Sequence, residues 1–82
     1  MISKPNQTQL RALAALNRAP GWTDITAFLD DELQAVYLHL ANSRDDAILK
    51  QMQGRAQFIT EFQKLVRDAE PALEKLRDNS LL

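Results

Sequence analysis

The feature that most constrains this chain is a pair of long amphipathic segments joined by a very short connection. Apolar side chains recur at helical spacing over residues 24–41 and again over residues 44–69, with only Asn42 and Ser43 between them. Two helices joined so closely must pack antiparallel. The sequence therefore predicts a long helical hairpin, whose facing stripes are Ile25, Phe28, Leu29, Leu33, Val36 and Leu40 on one helix and Ile48, Met52, Ile59, Phe62 and Val66 on the other.

The rest of the chain predicts a shorter N-terminal helix, over about residues 6–18, packed across this hairpin. Pro20-Gly21 ends it, and Thr23 is the candidate N-cap of the next helix, with Trp22 packing on the turn. Ser43 is the candidate cap of the long helix. Pro71 should interrupt that helix after Ala69, because proline removes a backbone donor and disfavours a helical residue before it. We expect a kink or a short helical turn over about 71–76 and a frayed end over 79–82.

No alternating β-branched run occurs, so the fold class is all-α, with a single helical domain over residues 1–82. A domain of this size has a modest core. Its apolar stripes exceed what one short helix covers, and we therefore expect a homo-oligomer, most simply a dimer that forms a helical bundle. The side chains expected at such an interface are Trp22, Phe58, Leu65, Leu73 and Leu76.

Two charges fall on the apolar stripes of the hairpin. Arg55 lies three residues after Met52 and four before Ile59, and Glu32 lies between Phe28 and Val36. Residues equidistant from the turn face each other, which places Glu32 opposite Arg55. One interpretation is a partly buried structural ion pair that sets the register, with little net stabilisation but a cost of ~3–5 kcal/mol if one partner is lost while the site stays buried. The other is that either residue contacts a second subunit or a partner.

Signatures of catalysis, cofactors and metals are absent from the sequence. It has no cysteine, one histidine (His39) and no glycine-rich phosphate loop, so we expect no enzyme activity, no cofactor and no metal site. No segment predicts a signal peptide or a membrane span. Residues 1–20 carry Lys4, Arg11 and Arg18 without an acid, but the net charge is −1 and aromatic interleaving is lacking, which disfavours nucleic-acid binding.

The segment Trp22–Leu33 (WTDITAFLDDEL), followed by Gln53–Gln57 (QGRAQ) in a second amphipathic helix, resembles small helical proteins encoded in tailed-phage and prophage gene clusters. The resemblance covers about residues 7–69. It implies a phage setting, in the host cytoplasm or on the virion, and no transferable site residues.

Together these features predict a non-enzymatic protein-interaction or assembly module, whose partners are a second copy of the chain or another phage or host protein. The alternative is a small regulator that binds nucleic acid or the host transcription machinery through its basic N-terminal segment.

Overall fold

The fold, seen in a computed structural model, is built from three helices. The structure describes residues 2–80, without the side chains of Asn79 and Ser80. Helix α1 spans Gln7–Arg18, α2 spans Trp22–Asn42 and α3 spans Asp46–Ser80, and residues 2–80 contain no strand. The predicted all-α fold class is confirmed.

Helix α1 begins at a capping box. The Asn6 side chain accepts a hydrogen bond from the Gln9 backbone N–H at 2.8 Å, and the Gln9 side chain accepts one from the Asn6 N–H at 2.9 Å. Two donors at the exposed helix start are thereby satisfied reciprocally. The helix ends before Pro20, and the Trp22 N–H donates to the Ala19 carbonyl at 3.0 Å across the turn into α2.

The expected N-caps of α2 and α3 are wrong. Helix α2 starts at Trp22 with Gly21 as N-cap, since the Gly21 carbonyl accepts a hydrogen bond from the Ile25 N–H at 3.1 Å, and no side chain caps the helix start. At the start of α3 the cap is Asp45 rather than Ser43, since its Oδ1 accepts from the backbone N–H groups of Ala47 and Ile48 at 2.9 and 3.3 Å. Ser43 Oγ accepts from the Asp45 N–H at 3.4 Å and so supports the capping residue.

Pro71 does not end the long helix, contrary to the sequence prediction. Helix α3 continues through Pro71 to Ser80. It thus includes residues 79 and 80, where we expected a frayed end, and residues 81–82 lie outside the described part. The missing N–H removes one bond to the preceding turn. Packing on both sides of the proline offsets that loss: Ala69 is buried against α1, and Leu73 packs on the same cluster.

Helix α3 is the central helix of the fold. Helices α1 and α2 each pack on it and make little contact with each other. Its second half meets α1 in a cluster built on Leu10, Ala14 and Ala69. Its first half meets α2, where Gln63 Nε2 lies 3.1 Å from Thr26 Oγ1 and 2.9 Å from Asp30 Oδ1. The buried apolar residues of the described chain are Leu10, Ala14, Trp22, Val36, Ala56, Ile59, Val66 and Ala69.

The shape is long and thin, 53 × 26 × 14 Å. A compact 9.3 kDa monomer exposes roughly 5,000 Å² by the scaling of surface with mass. This chain exposes 6384 Å². The fold alone therefore leaves more surface open than a compact monomer of its size.

Candidate interaction surface

Large apolar side chains are exposed on one side of the α2–α3 pair. Phe28 is 67% exposed, Phe58 57% and Ile25 46%. On α2, residues 25, 28 and 32 follow helical spacing along one face, and on α3 residues 55 and 58 do the same. We call the surface formed by Ile25, Phe28, Glu32, Arg55 and Phe58 the Phe28–Phe58 face.

The ion pair Glu32–Arg55 establishes that these residues share one side of the two helices. Arg55 Nη1 lies 3.8 Å from Glu32 Oε1. Phe28 is one turn before Glu32, and Phe58 is one turn after Arg55. Phe28 and Phe58 are both farther from the α2–α3 connection than the ion pair is. The two aromatic residues therefore lie on the same side of the ion pair along the helices.

The structure brings the two predicted charges together but does not bury them. The Arg55 and Glu32 side chains are 55% and 44% exposed. The stripe position between Met52 and Ile59 belongs to buried Ala56, four residues after one and three before the other. Arg55 lies beside the stripe, on its solvent edge. An exposed pair of this kind contributes ~0–1 kcal/mol, and the cost of ~3–5 kcal/mol expected for a buried site does not apply to it.

An aromatic chain connects the Phe28–Phe58 face to the core. Phe58 stacks on Phe62, with ring centroids 6.2 Å apart and planes 7° apart. Phe62 in turn meets Trp22 edge-on, at 6.1 Å and 69°. Offset and edge-to-face pairs such as these favour defined ring positions. Phe58 is therefore held by its neighbour while most of its ring stays open to solvent.

The other predicted interface residues divide between core and surface. Trp22 is buried inside the chain against Phe62, which removes it from the set of exposed contacts. Leu73 is half-buried against the α1 cluster, and Leu65 is half-buried in a shallow depression beside Ile2 and Pro5. Leu76 is 42% exposed, on the second half of α3. The N-terminal segment lies beside Leu65 and helix α1 packs on Leu73, whereas Leu76 is left partly exposed.

Sequence reasoning missed the polar contact made by Gln63. Its side chain joins Thr26 and Asp30 across the α2–α3 seam. The available signal was a glutamine four residues after Ile59 and three before Val66, within the apolar spacing of α3. These hydrogen bonds connect α2 to α3 with a defined geometry, which the apolar contacts alone do not provide.

The basic N-terminal residues are interleaved with acids of α3. Arg18 Nη1 lies 3.2 Å from Glu70 Oε1, with both side chains exposed. Arg11 lines a depression that Glu70 and Glu74 also line. The positive charge of the first twenty residues is thus partly compensated in three dimensions, although the sequence alone shows it as an uncompensated run.

Residues 2–80 contain neither a candidate metal site nor a helix suited to span a membrane. No group of three or more His, Asp or Glu side chains there could hold a metal ion. His39 is exposed, near the connection to α3. No helix among the same residues has the length and apolar character needed to cross a membrane.

Comparison of the chain with protein-family models, with curated proteins and with solved structures finds no match.

Proposed function

We propose that this chain is a non-enzymatic protein-interaction module whose α2–α3 pair forms an antiparallel hairpin and assembles with a second copy into a helical bundle. The observation that carries the proposal is the exposure of Phe28 and Phe58 on one side of the helix pair, at 67% and 57%. Contiguous exposed aromatic surface marks interaction sites, and aromatic residues are enriched at protein interfaces.

The surface area supports association. The chain exposes 6384 Å², roughly 1,400 Å² more than a compact monomer of its mass. A standard interface buries about 800 Å² on each partner. The excess is therefore large enough to contain one interface, and the slab-like shape offers the necessary flat face.

The magnitudes show why the aromatic residues matter. At about 200 Å² for a whole Phe, the exposed fractions of Phe28 and Phe58 amount to roughly 250 Å² per chain. Burying this area on two chains stabilises the complex by ~12 kcal/mol before costs. Association costs ~4–15 kcal/mol, which is of the same order. The two rings therefore contribute a hydrophobic gain of the same order as the cost of association.

We place this module in a phage or prophage setting, as an accessory protein in the host cytoplasm or on the virion. The support is the resemblance carried by Trp22–Leu33 and Gln53–Gln57. Both segments contribute to the Phe28–Phe58 face, the first through Ile25, Phe28 and Glu32 and the second through Arg55. A protein of this class would act by holding another phage or host protein in an assembly.

Sedimentation equilibrium tests the proposal. At micromolar concentration we expect a mass twice the 9.3 kDa of the chain. A mass of 9.3 kDa across the whole concentration range would contradict self-assembly. The alternative function, nucleic-acid binding through the basic N-terminal segment, predicts a different result: fluorescence anisotropy of labelled DNA would rise on mixing, and the rise would vanish with added salt.

A further inference from the structure

We propose that the second copy docks on the Phe28–Phe58 face about a two-fold axis, so that Glu32 of each copy meets Arg55 of the other. The inference rests on the proposed self-assembly and adds to it the surface, the symmetry and the charge pairing. A two-fold interface uses the same patch on both chains, and that patch must therefore complement itself.

The choice of face follows from where the exposed apolar side chains lie. Ile25, Phe28 and Phe58 are exposed, and their helical spacing from Glu32 and Arg55 places them on one side of the α2–α3 pair. Tyr37 is nine residues after Phe28, which at about 100° per residue places it on the opposite side of α2. Leu38 is exposed too, but close to the connection and ten residues from Phe28. The patch at Phe28 and Phe58 contains two aromatic rings, and one of them, Phe58, stacks on Phe62.

The charges on this face argue for a second copy as its occupant. The face carries one acid and one base beside the aromatic pair, Glu32 and Arg55. A strongly charged partner would leave one of them opposite a like charge, whereas a two-fold axis that runs along the helices, between α2 and α3, brings each opposite its complement. The net charge of the chain is −1, so long-range repulsion between copies is small.

The geometry of the Glu32–Arg55 pair allows an exchange of partners, in which Arg55 pairs with Glu32 of the second copy instead of Glu32 of its own chain. Its Nη1–Oε1 distance of 3.8 Å is too long for a hydrogen bond, and both side chains are exposed to about half of their surface. A partner's carboxylate at hydrogen-bond distance from Arg55 would be closer than the one in its own chain. Removal of water at the interface would strengthen the attraction further.

Charged substitutions on the face, measured by sedimentation equilibrium, test the proposal. Phe28→Lys and Phe58→Lys should each raise the dimer dissociation constant by at least ~30-fold, the size of effect expected for a central aromatic residue of an interface. The matched control is Tyr37→Lys, an exposed aromatic residue on the opposite side of α2, which should leave dimerisation unchanged. Circular dichroism should show unchanged helix content in all three variants.

Charge reversal tests the exchange itself. Glu32→Arg and Arg55→Glu should each weaken the dimer by about tenfold or more, and the double variant should recover most of the affinity. The control is the Arg18–Glu70 pair, which is similarly exposed but lies between α1 and α3, and whose single reversals should leave the dimer unchanged. Failure of the double variant to recover would overturn the exchange.

The two proposals fail in distinguishable ways. A wild-type dimer that persists in folded Phe28→Lys and Phe58→Lys variants would overturn this interface and leave self-assembly in place. A wild-type chain that stays monomeric would overturn self-assembly itself, and this interface with it.

Discussion

Val66→Ala is the substitution that most directly tests how the three helices meet. Val66 is fully buried, and it lies on α3 between Phe62, which contacts Trp22 of α2, and Ala69, which contacts α1. Removing its two methyl groups costs ~1.6 kcal/mol in transfer free energy. The residual cavity adds up to ~1 kcal/mol. Alanine returns ~0.5 kcal/mol through its higher helix propensity.

The net loss in the free energy of unfolding should be about 1–2 kcal/mol, out of roughly 4–12 kcal/mol for a domain of this length. The midpoint of thermal unfolding should fall by about 5–15 °C. Urea unfolding, followed by far-ultraviolet circular dichroism and by the fluorescence of Trp22, measures this loss at fixed protein concentration. Thr60→Ala is the control, because Thr60 is an exposed β-branched residue on the same helix. A loss below ~0.5 kcal/mol for Val66→Ala would refute the packing described here.

Three further substitutions test separate parts of the account by urea unfolding. Pro71→Ala should stabilise the fold by about 1–2 kcal/mol, since α3 runs through Pro71 and alanine restores the missing backbone donor; no gain would mean that the helix is interrupted there. Asn6→Ala should cost about 1 kcal/mol because it removes the capping box with Gln9, and an unchanged midpoint would contradict that cap. Arg55→Met, measured where the chain is monomeric, should change the unfolding free energy by less than ~1 kcal/mol, as an exposed pair with Glu32 predicts. A loss of ~3 kcal/mol or more would instead indicate a buried pair.

The number and order of the long helices could be predicted because they depend on local spacing. Apolar residues at helical intervals and the breakers at Pro20-Gly21 and Asn42-Ser43 identify α1, α2 and α3 without reference to tertiary contacts. The ends of the helices could not be predicted as well. Pro71 is unfavourable locally, yet the α1 cluster packs on both of its sides, and this non-local gain is invisible in a window of sequence.

The placement of Arg55 shows a second limit. A wheel with 100° per residue places Arg55 and Ala56 close to the same stripe, one on each side of its centre. In the structure Ala56 is buried and the Arg55 guanidinium lies at the solvent edge. Water can therefore solvate the charge, and no buried partner is required. The same limit applies to Trp22, a large apolar residue at a turn, whose burial depends on Phe62, forty residues away.

Burial of the Phe28–Phe58 face by a second copy is tested most directly by an isotope-filtered nuclear Overhauser experiment on a mixture of labelled and unlabelled chains. We predict intermolecular contacts from the ring protons of Phe28 and Phe58, and none from Tyr37. Intermolecular contacts from Tyr37 alone, or no intermolecular contacts at a concentration where a dimer should form, would contradict it.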